Sequence, residues 1–193
     1  MAKQSNAVVP FRVKWVLRLV LIWMLGGSGV SGQTSAPAAP TEYQIKAAFV
    51  FNFAKFVEWP ASAFLNTNSP IILGILGDNP FGDDLANAVH NKKLNNRSLA
   101  VVHYLRPAEV TNCQLLFISN SEKENLAQIF NTLRDKSVLT VGEMDHFTEA
   151  GGMINFVQEG TKMRFQINEV AAKSAGLKIS SKLMRLALPQ PDH

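Results

Sequence analysis

Three short apolar runs constrain this chain more than any other feature. Ile71–Leu76, Leu115–Ile118 and Val138–Val141 are almost uninterrupted by polar side chains. Runs of that length suit a strand better than a helix, and apolar residues at every position imply a strand covered on both faces. Leu99–Leu105 reads as a further strand. Helical patterns lie before and between these runs. Glu42–Val57 places Phe49, Phe53 and Phe56 on one face and stops at Trp59-Pro60. Asp78-Asn79-Pro80 supplies cap candidates and a first-turn proline for a helix to about His90. Ser121-Glu-Lys-Glu124 has the capping-box pattern ahead of Leu126, Ile129, Phe130 and Leu133.

Later in the chain the pattern changes. Gly152–Gln158 and Lys162–Ile167 flank Glu159-Gly160-Thr161, the arrangement of a hairpin with one wet face (Lys162, Arg164, Gln166). Asn168 is placed to cap a short helix that Gly176 stops. Leu177–Leu188 reads as an amphipathic helix, with Ile179, Leu183 and Leu186 opposite Lys178, Lys182 and Arg185. Strand–helix alternation followed by a hairpin predicts an α/β fold, with a mostly parallel sheet flanked by helices and a late antiparallel hairpin.

Residues 1–32 have the order of a secretory signal: basic (Lys3, Arg12, Lys14, Arg18), then apolar (Leu19 to Leu25), then small (Gly26 to Gly32). Cleavage is expected after Gly32, with Val30 and Gly32 as the small residues before the cut. Its apolar core is short for a membrane span, which needs about 20 residues. Loss of these four basic residues takes Lys+Arg from 19 to 15, equal to Asp+Glu at 15. The basic balance of the whole chain therefore belongs to the signal and gives no basis for nucleic-acid binding. Residues 33–41 read as a flexible leader, 42–188 as a single domain and 189–193 as a tail. With one cysteine, Cys113, the exported chain has no internal disulfide. Cys113 itself reads as an inert half-buried thiol, with a nucleophile or a bridge between two chains as the other options.

Catalytic patterns are scarce. His90, His103, His146 and His193 have no zinc-ligand spacing, and no serine sits in a Gly-x-Ser-x-Gly elbow. No catalytic set, metal site or cofactor is expected. Parallel sheets bind ligands at the carboxyl ends of their strands, which here are Gly77-Asp78-Asn79 and Gly142-Glu143. Asp78, Asn79, Phe81 and Gly142 are the candidate ligand-binding residues, in a turn of the kind that can hold an anion or simply reverse the chain. For a partner protein the candidates are Arg164 and Gln166 on the hairpin and Lys178, Lys182 and Arg185 on the last helix. The same basic stripe is also what a solvated face looks like.

Four strings carry a family resemblance: Tyr43-Gln-Ile-Lys-Ala-Ala-Phe-Val-Phe-Asn-Phe-Ala-Lys-Phe-Val-Glu-Trp-Pro60, Ile75-Leu-Gly-Asp-Asn-Pro-Phe-Gly82, Gly151-Gly-Met-Ile-Asn-Phe156 and Leu177-Lys-Ile-Ser-Ser-Lys-Leu-Met-Arg-Leu186. Over Glu42–Ala187 the chain resembles the YfiR family of small exported bacterial proteins. The resemblance implies a receiver-like or flavodoxin-like periplasmic regulator that acts by binding, without enzymatic activity, and tends to form a homodimer. Its implied partner is the periplasmic sensor part of an inner-membrane diguanylate cyclase or kinase, whose cyclic-di-GMP output it represses. A lipoprotein linked to the outer membrane would sequester it. Redox gating by paired cysteines does not carry over to a chain with Cys113 alone. The alternative function is a periplasmic small-ligand or anion receptor presenting its ligand to a signalling or transport partner.

Overall fold

The order of strands follows from the buried apolar runs. The computed structural model describes residues 39–189; the expected signal and most of the leader, with the last residues of the tail, lie outside that range. Helix α1 (Glu42–Lys55) is followed by the two-residue strand β1 (Val57–Glu58) and the first central strand, β2 (Ile71–Leu76). Next come α2 (Asp84–Val89), β3 (Lys93–Leu94), β4 (Arg97–Tyr104), β5 (Leu115–Ile118), α3 (Leu126–Leu133) and β6 (Leu139–Gly142). The hairpin β7 (Ile154–Glu159) and β8 (Lys162–Ile167) precedes α4 (Glu169–Ser174), β9 (Lys178–Ile179) and α5 (Ser181–Met184).

Seven strands form one sheet in the order β3-β4-β2-β5-β6-β7-β8. The pairs from β4 through β7 are parallel, and β3 and β8 are antiparallel additions at the two edges. Ranked by sequence, the five parallel strands stand as 2-1-3-4-5, the flavodoxin-like doubly wound order, whose switch point lies between β2 and β5.

Two apolar cores sandwich the sheet. On one face Leu73, Ile75, Leu115, Phe117, Val141 and Phe156 pack against Ala47, Val50 and Phe53 of α1 and Leu85 of α2. On the other, Leu76, Leu116 and Ile118 meet Leu126, Ile129 and Leu133 of α3, with Phe147. The phenylalanines of α1 are core: Phe53 is fully buried and stands 5.1 Å from the Phe165 ring and 5.5 Å from that of Phe156. Each such ring contributes roughly 1.5–3 kcal/mol by burial.

Helix ends depart from expectation in four places. A capping box does start a helix, but at Thr41 and Gln44, whose side chains and backbone N–H groups bond reciprocally at 3.1 and 3.2 Å. Helix α1 stops at Lys55 so that Val57 and Glu58 can pair with β9. Helix α2 begins at Asp84 and not near Pro80, because Gly82 takes φ +52° and interrupts any helix through it. Ser121 caps nothing: its hydroxyl accepts from the Asp78 N–H at 3.0 Å, and a 3-10 segment, Asn120–Asn125, leads into α3.

The expected amphipathic helix over Leu177–Leu188 is the largest correction. Gly176, at φ +74°, ends α4, and Lys178 and Ile179 then extend to pair with Glu58 and Val57. Only the single turn α5 follows, and Leu186 is 61% exposed. The strand pairing satisfies backbone groups of β1 that a continuous helix would leave open.

Candidate functional site

At the carboxyl end of the switch point, the chain leaves β2 through Gly77, whose φ of +83° only glycine adopts without strain. A Cβ at Gly77 would also lie 2.4 Å from the Ser121 hydroxyl oxygen and 2.8 Å from the Glu122 side chain. The following turn is bonded within itself. The Asn79 carboxamide accepts from the Phe81 N–H at 3.0 Å and donates to the Gly82 carbonyl at 3.1 Å. A ring nitrogen of His103 lies 2.5 Å from the Gly77 carbonyl. Asp78 and Asn79 are exposed, whereas Phe81 is buried, edge-on to Phe117 at 4.8 Å and to Tyr43 at 5.5 Å.

Gly142 lies two strands away, at the end of β6. A side chain there would meet the Phe147 ring at 2.7 Å, so this glycine makes room for packing on the α3 face. Next to it, Glu143 binds the Lys46 ammonium and accepts from the Tyr43 hydroxyl at 3.1 Å. Lys46 is buried and also bonds Glu42 at 2.5 Å, one turn back on α1. Burial pulls the Lys46 ammonium toward neutrality, but the carboxylates of Glu143 and Glu42 outweigh it and hold its pKa above the usual lysine range. Burial, then the Glu143 charge, push the Tyr43 phenol up. Tyr43 thus links the two predicted strand ends, touching Phe81 with its ring and Glu143 with its hydroxyl. Sequence reading passed over Lys46 and Tyr43 as site residues; their only signal was a lysine inside an otherwise buried helical face.

A second feature lies at the other end of the sheet. Lys55, Phe56, Glu58, Lys178, Ile179, Ser180 and Lys182 line an open groove of about 360 Å³. The β1–β9 pairing builds it, together with the Ser180 N–H donating to the Phe56 carbonyl at 2.9 Å. The Ser180 hydroxyl accepts from the Lys182 N–H at 3.2 Å and fixes the start of α5. Among the described residues, none of these three lysines stands within ion-pair distance of a carboxylate. The Lys55 ammonium sits 5.7 Å from the centre of the Phe56 ring.

The five predicted partner-binding residues are therefore divided. Lys178 and Lys182 share this groove, and Lys55, which sequence reading missed, completes it from the last turn of α1. Arg185 is exposed just after α5. On the hairpin, Arg164 faces Glu159 at 3.9 Å, and Gln166 is bridged to Leu188.

Among the described residues there is no cluster of His, Cys, Asp and Glu able to hold a metal, and no helix long and apolar enough to cross a membrane. Cys113 is buried behind Gly74, with its thiol directed to the Leu115 carbonyl at 3.0 Å. Burial pushes that thiol up to about 12, the reverse of what a nucleophile requires.

No curated protein matches this chain. The YfiR/HmsC-like family matches residues 43–188, which span the sheet, both cores, the carboxyl-end turn and the lysine groove. With that match covering most of its length, the chain belongs to the YfiR/HmsC-like family.

Proposed function

We propose that this protein is an exported, non-enzymatic regulator. It docks on the periplasmic sensor region of an inner-membrane diguanylate cyclase and lowers cyclic-di-GMP synthesis. Family membership supports a regulator of such signalling. The observation that carries the docking surface is the groove of Lys55, Lys178 and Lys182, three ammonium groups gathered by separate elements and, among the described residues, beyond ion-pair distance of any carboxylate. An acidic surface on the sensor would complete it, and Arg185 extends the same charge. Repression then requires only that the protein bind one conformation of the sensor better than another. A hundredfold drop in output corresponds to about 2.7 kcal/mol of such preference.

The competing reading is a receptor for a small solute or anion, built on Asp78 and Asn79. It draws less support, because the Asp78 N–H and the Asn79 carboxamide are already bonded inside the protein and Phe81 fills the space beneath them.

The test is the cyclic-di-GMP level of the source cell. Deleting the protein should raise it, and re-expressing the full chain should restore it. A chain without residues 1–32 should fail to restore it, since it would not reach the sensor. An unchanged level on deletion would remove this function, and rescue by the truncated chain would remove the periplasmic site of action.

A further inference from the structure

The two edges of the sheet are treated differently. At the β8 edge, the Leu188 N–H donates to the Phe165 carbonyl at 2.8 Å, and Gln166 and Leu188 bridge. Covering an edge in this way keeps it from pairing with another chain. At the opposite edge the cover is partial. β3 pairs with Arg97 and Ser98 of β4 and goes no further, and the Leu105 N–H is taken by the Glu109 carboxylate at 3.1 Å. Between those two stops, Leu99–His103 pairs with β2 on its inner side alone and contains no proline, glycine or carboxylate. The Tyr104 carbonyl accepts from the Gly77 N–H at 3.2 Å, so Tyr104 bonds toward β2. Alternation makes Ala100 and Val102 do the same, and turns the N–H and carbonyl groups of Leu99, Val101 and His103 outward. Among the described residues, no other backbone group bonds to them.

The side chains of those same residues border a groove. Leu99 and Val101 lean on the core beneath α1 and α2, whereas Val102 packs on the α3 face. With Val89 of α2 they form the apolar part of an open groove of about 480 Å³, and His90, Lys92 and Lys93 supply its charge. All three of those basic side chains are exposed, and the Lys92 ammonium sits 4.3 Å from the centre of the Phe51 ring. No acidic residue lines the groove. Among the described residues, no carboxylate lies within ion-pair distance of His90, Lys92 or Lys93.

We propose that this edge receives an extended acidic segment of a second protein, added antiparallel to β4 over Leu99–His103, with glutamate side chains in the groove. It is a separate surface from the lysine groove beside β9, and the two stand independently. In an antiparallel pair, residues directly opposite each other carry their side chains on the same face. The partners of Leu99 and Val101 therefore point to the groove side of the sheet. A glutamate there lays its methylene groups on Leu99 and Val101 and presents its carboxylate to Lys92 and Lys93. A basic segment would meet like charge, and a proline would lack the N–H that the Val101 carbonyl accepts. In strand addition the backbone bonds supply affinity, and the sites for alternate side chains supply selectivity.

The probe is a fluorescently labelled heptapeptide alternating glutamate and threonine, titrated with the purified exported protein. Its anisotropy should rise to saturation, and added salt should weaken the binding. A peptide alternating lysine and threonine should bind about tenfold more weakly. N-methylation at the glutamates removes the donors that face β4 and should also cost about tenfold. N-methylation at the threonines removes only donors that face away, and should cost little. On binding, hydrogen exchange should slow at the Leu99, Val101 and His103 amides. Lys92→Glu with Lys93→Glu should reverse the preference for the acidic peptide; if that variant fails to fold, the two methylated peptides still decide. The proposal is overturned by no saturable binding of the glutamate–threonine peptide, by equal losses from the two methylations, or by binding that leaves those three amides unprotected. Amides already protected in a free protein that sediments as a dimer would give the edge to a second copy, and would overturn it too.

Discussion

Lys46 and Glu143 stand 97 positions apart in sequence, yet their side chains form an ion pair at the carboxyl end of the sheet, with 5% and 13% of their side-chain surfaces exposed. The pair ties the first turns of α1 to the loop after β6. Tyr43 and Glu42 supply its remaining polar contacts. Such a pair contributes little net stability against apolar replacements, but loss of one partner strands the other charge.

Lys46→Met should therefore destabilise the domain by about 3 kcal/mol, near the lower end for buried pairs because Glu143 keeps some contact with water. The double variant Lys46→Met, Glu143→Leu should recover most of the loss. Urea unfolding of the three proteins measures both, and a double variant no better than the single one would contradict the account.

Stability should decline from about pH 9 upward. The Cys113 thiol is raised from 9.0 to about 12 in the fold and the Tyr104 phenol from 10.0 to about 12, in each case chiefly by burial. Tyr43 and Lys46 are raised too. A folded chain that keeps its protons longer is fully stabilised below the unfolded pKa and loses that stability as pH rises through the folded one. Cys113 enters first, with a limiting slope of about 1.4 kcal/mol per pH unit. Cys113→Ala should flatten the profile between pH 9 and 10, although its absolute stability will be lower.

Gly152→Ala should cost about 1–3 kcal/mol through overpacking. A side chain there would lie 2.2 Å from the Phe147 ring, which also blocks Gly142. Combining it with Phe147→Leu should lose less than the two changes summed, because the smaller side chain relieves the clash. Thermal melts of the pair and the singles decide this, and simple additivity would count against the contact.

Lys178→Glu with Lys182→Glu should leave the melt within about 0.5 kcal/mol of wild type, as expected for exposed positions without partners. The same change should weaken repression of cyclic-di-GMP synthesis. Adding Lys55→Glu should deepen the effect. Full repression by a stable double variant would remove the groove from the docking surface.

How much of this was legible in the sequence differs by element. Ile71–Leu76 and Leu115–Ile118 read correctly as strands, since an apolar side chain at every position has few other solutions. The hairpin was equally clear, because alternation along Lys162–Ile167 and a glycine at the turn act locally. Helix α2 was placed too early because nothing in Asp78-Asn79-Pro80 announces that Gly82 adopts a positive φ. The last segment was misread for a similar reason. Leu177–Leu188 has helical spacing, yet the partner that draws Lys178 and Ile179 into a strand lies at Val57 and Glu58.

The sequence by itself determined the class of fold and the family, since each depends on patterns carried by residues close together in the chain. Only the tertiary structure decided which charges are buried and which are free. Lys46 and Lys55 sit in the same helix, nine positions apart. One meets Glu143 brought in by β6, and the other opens into a groove made by β9. Ionic character in a protein depends on what the solvent is replaced by, and that is settled by contacts the chain makes only after it has folded.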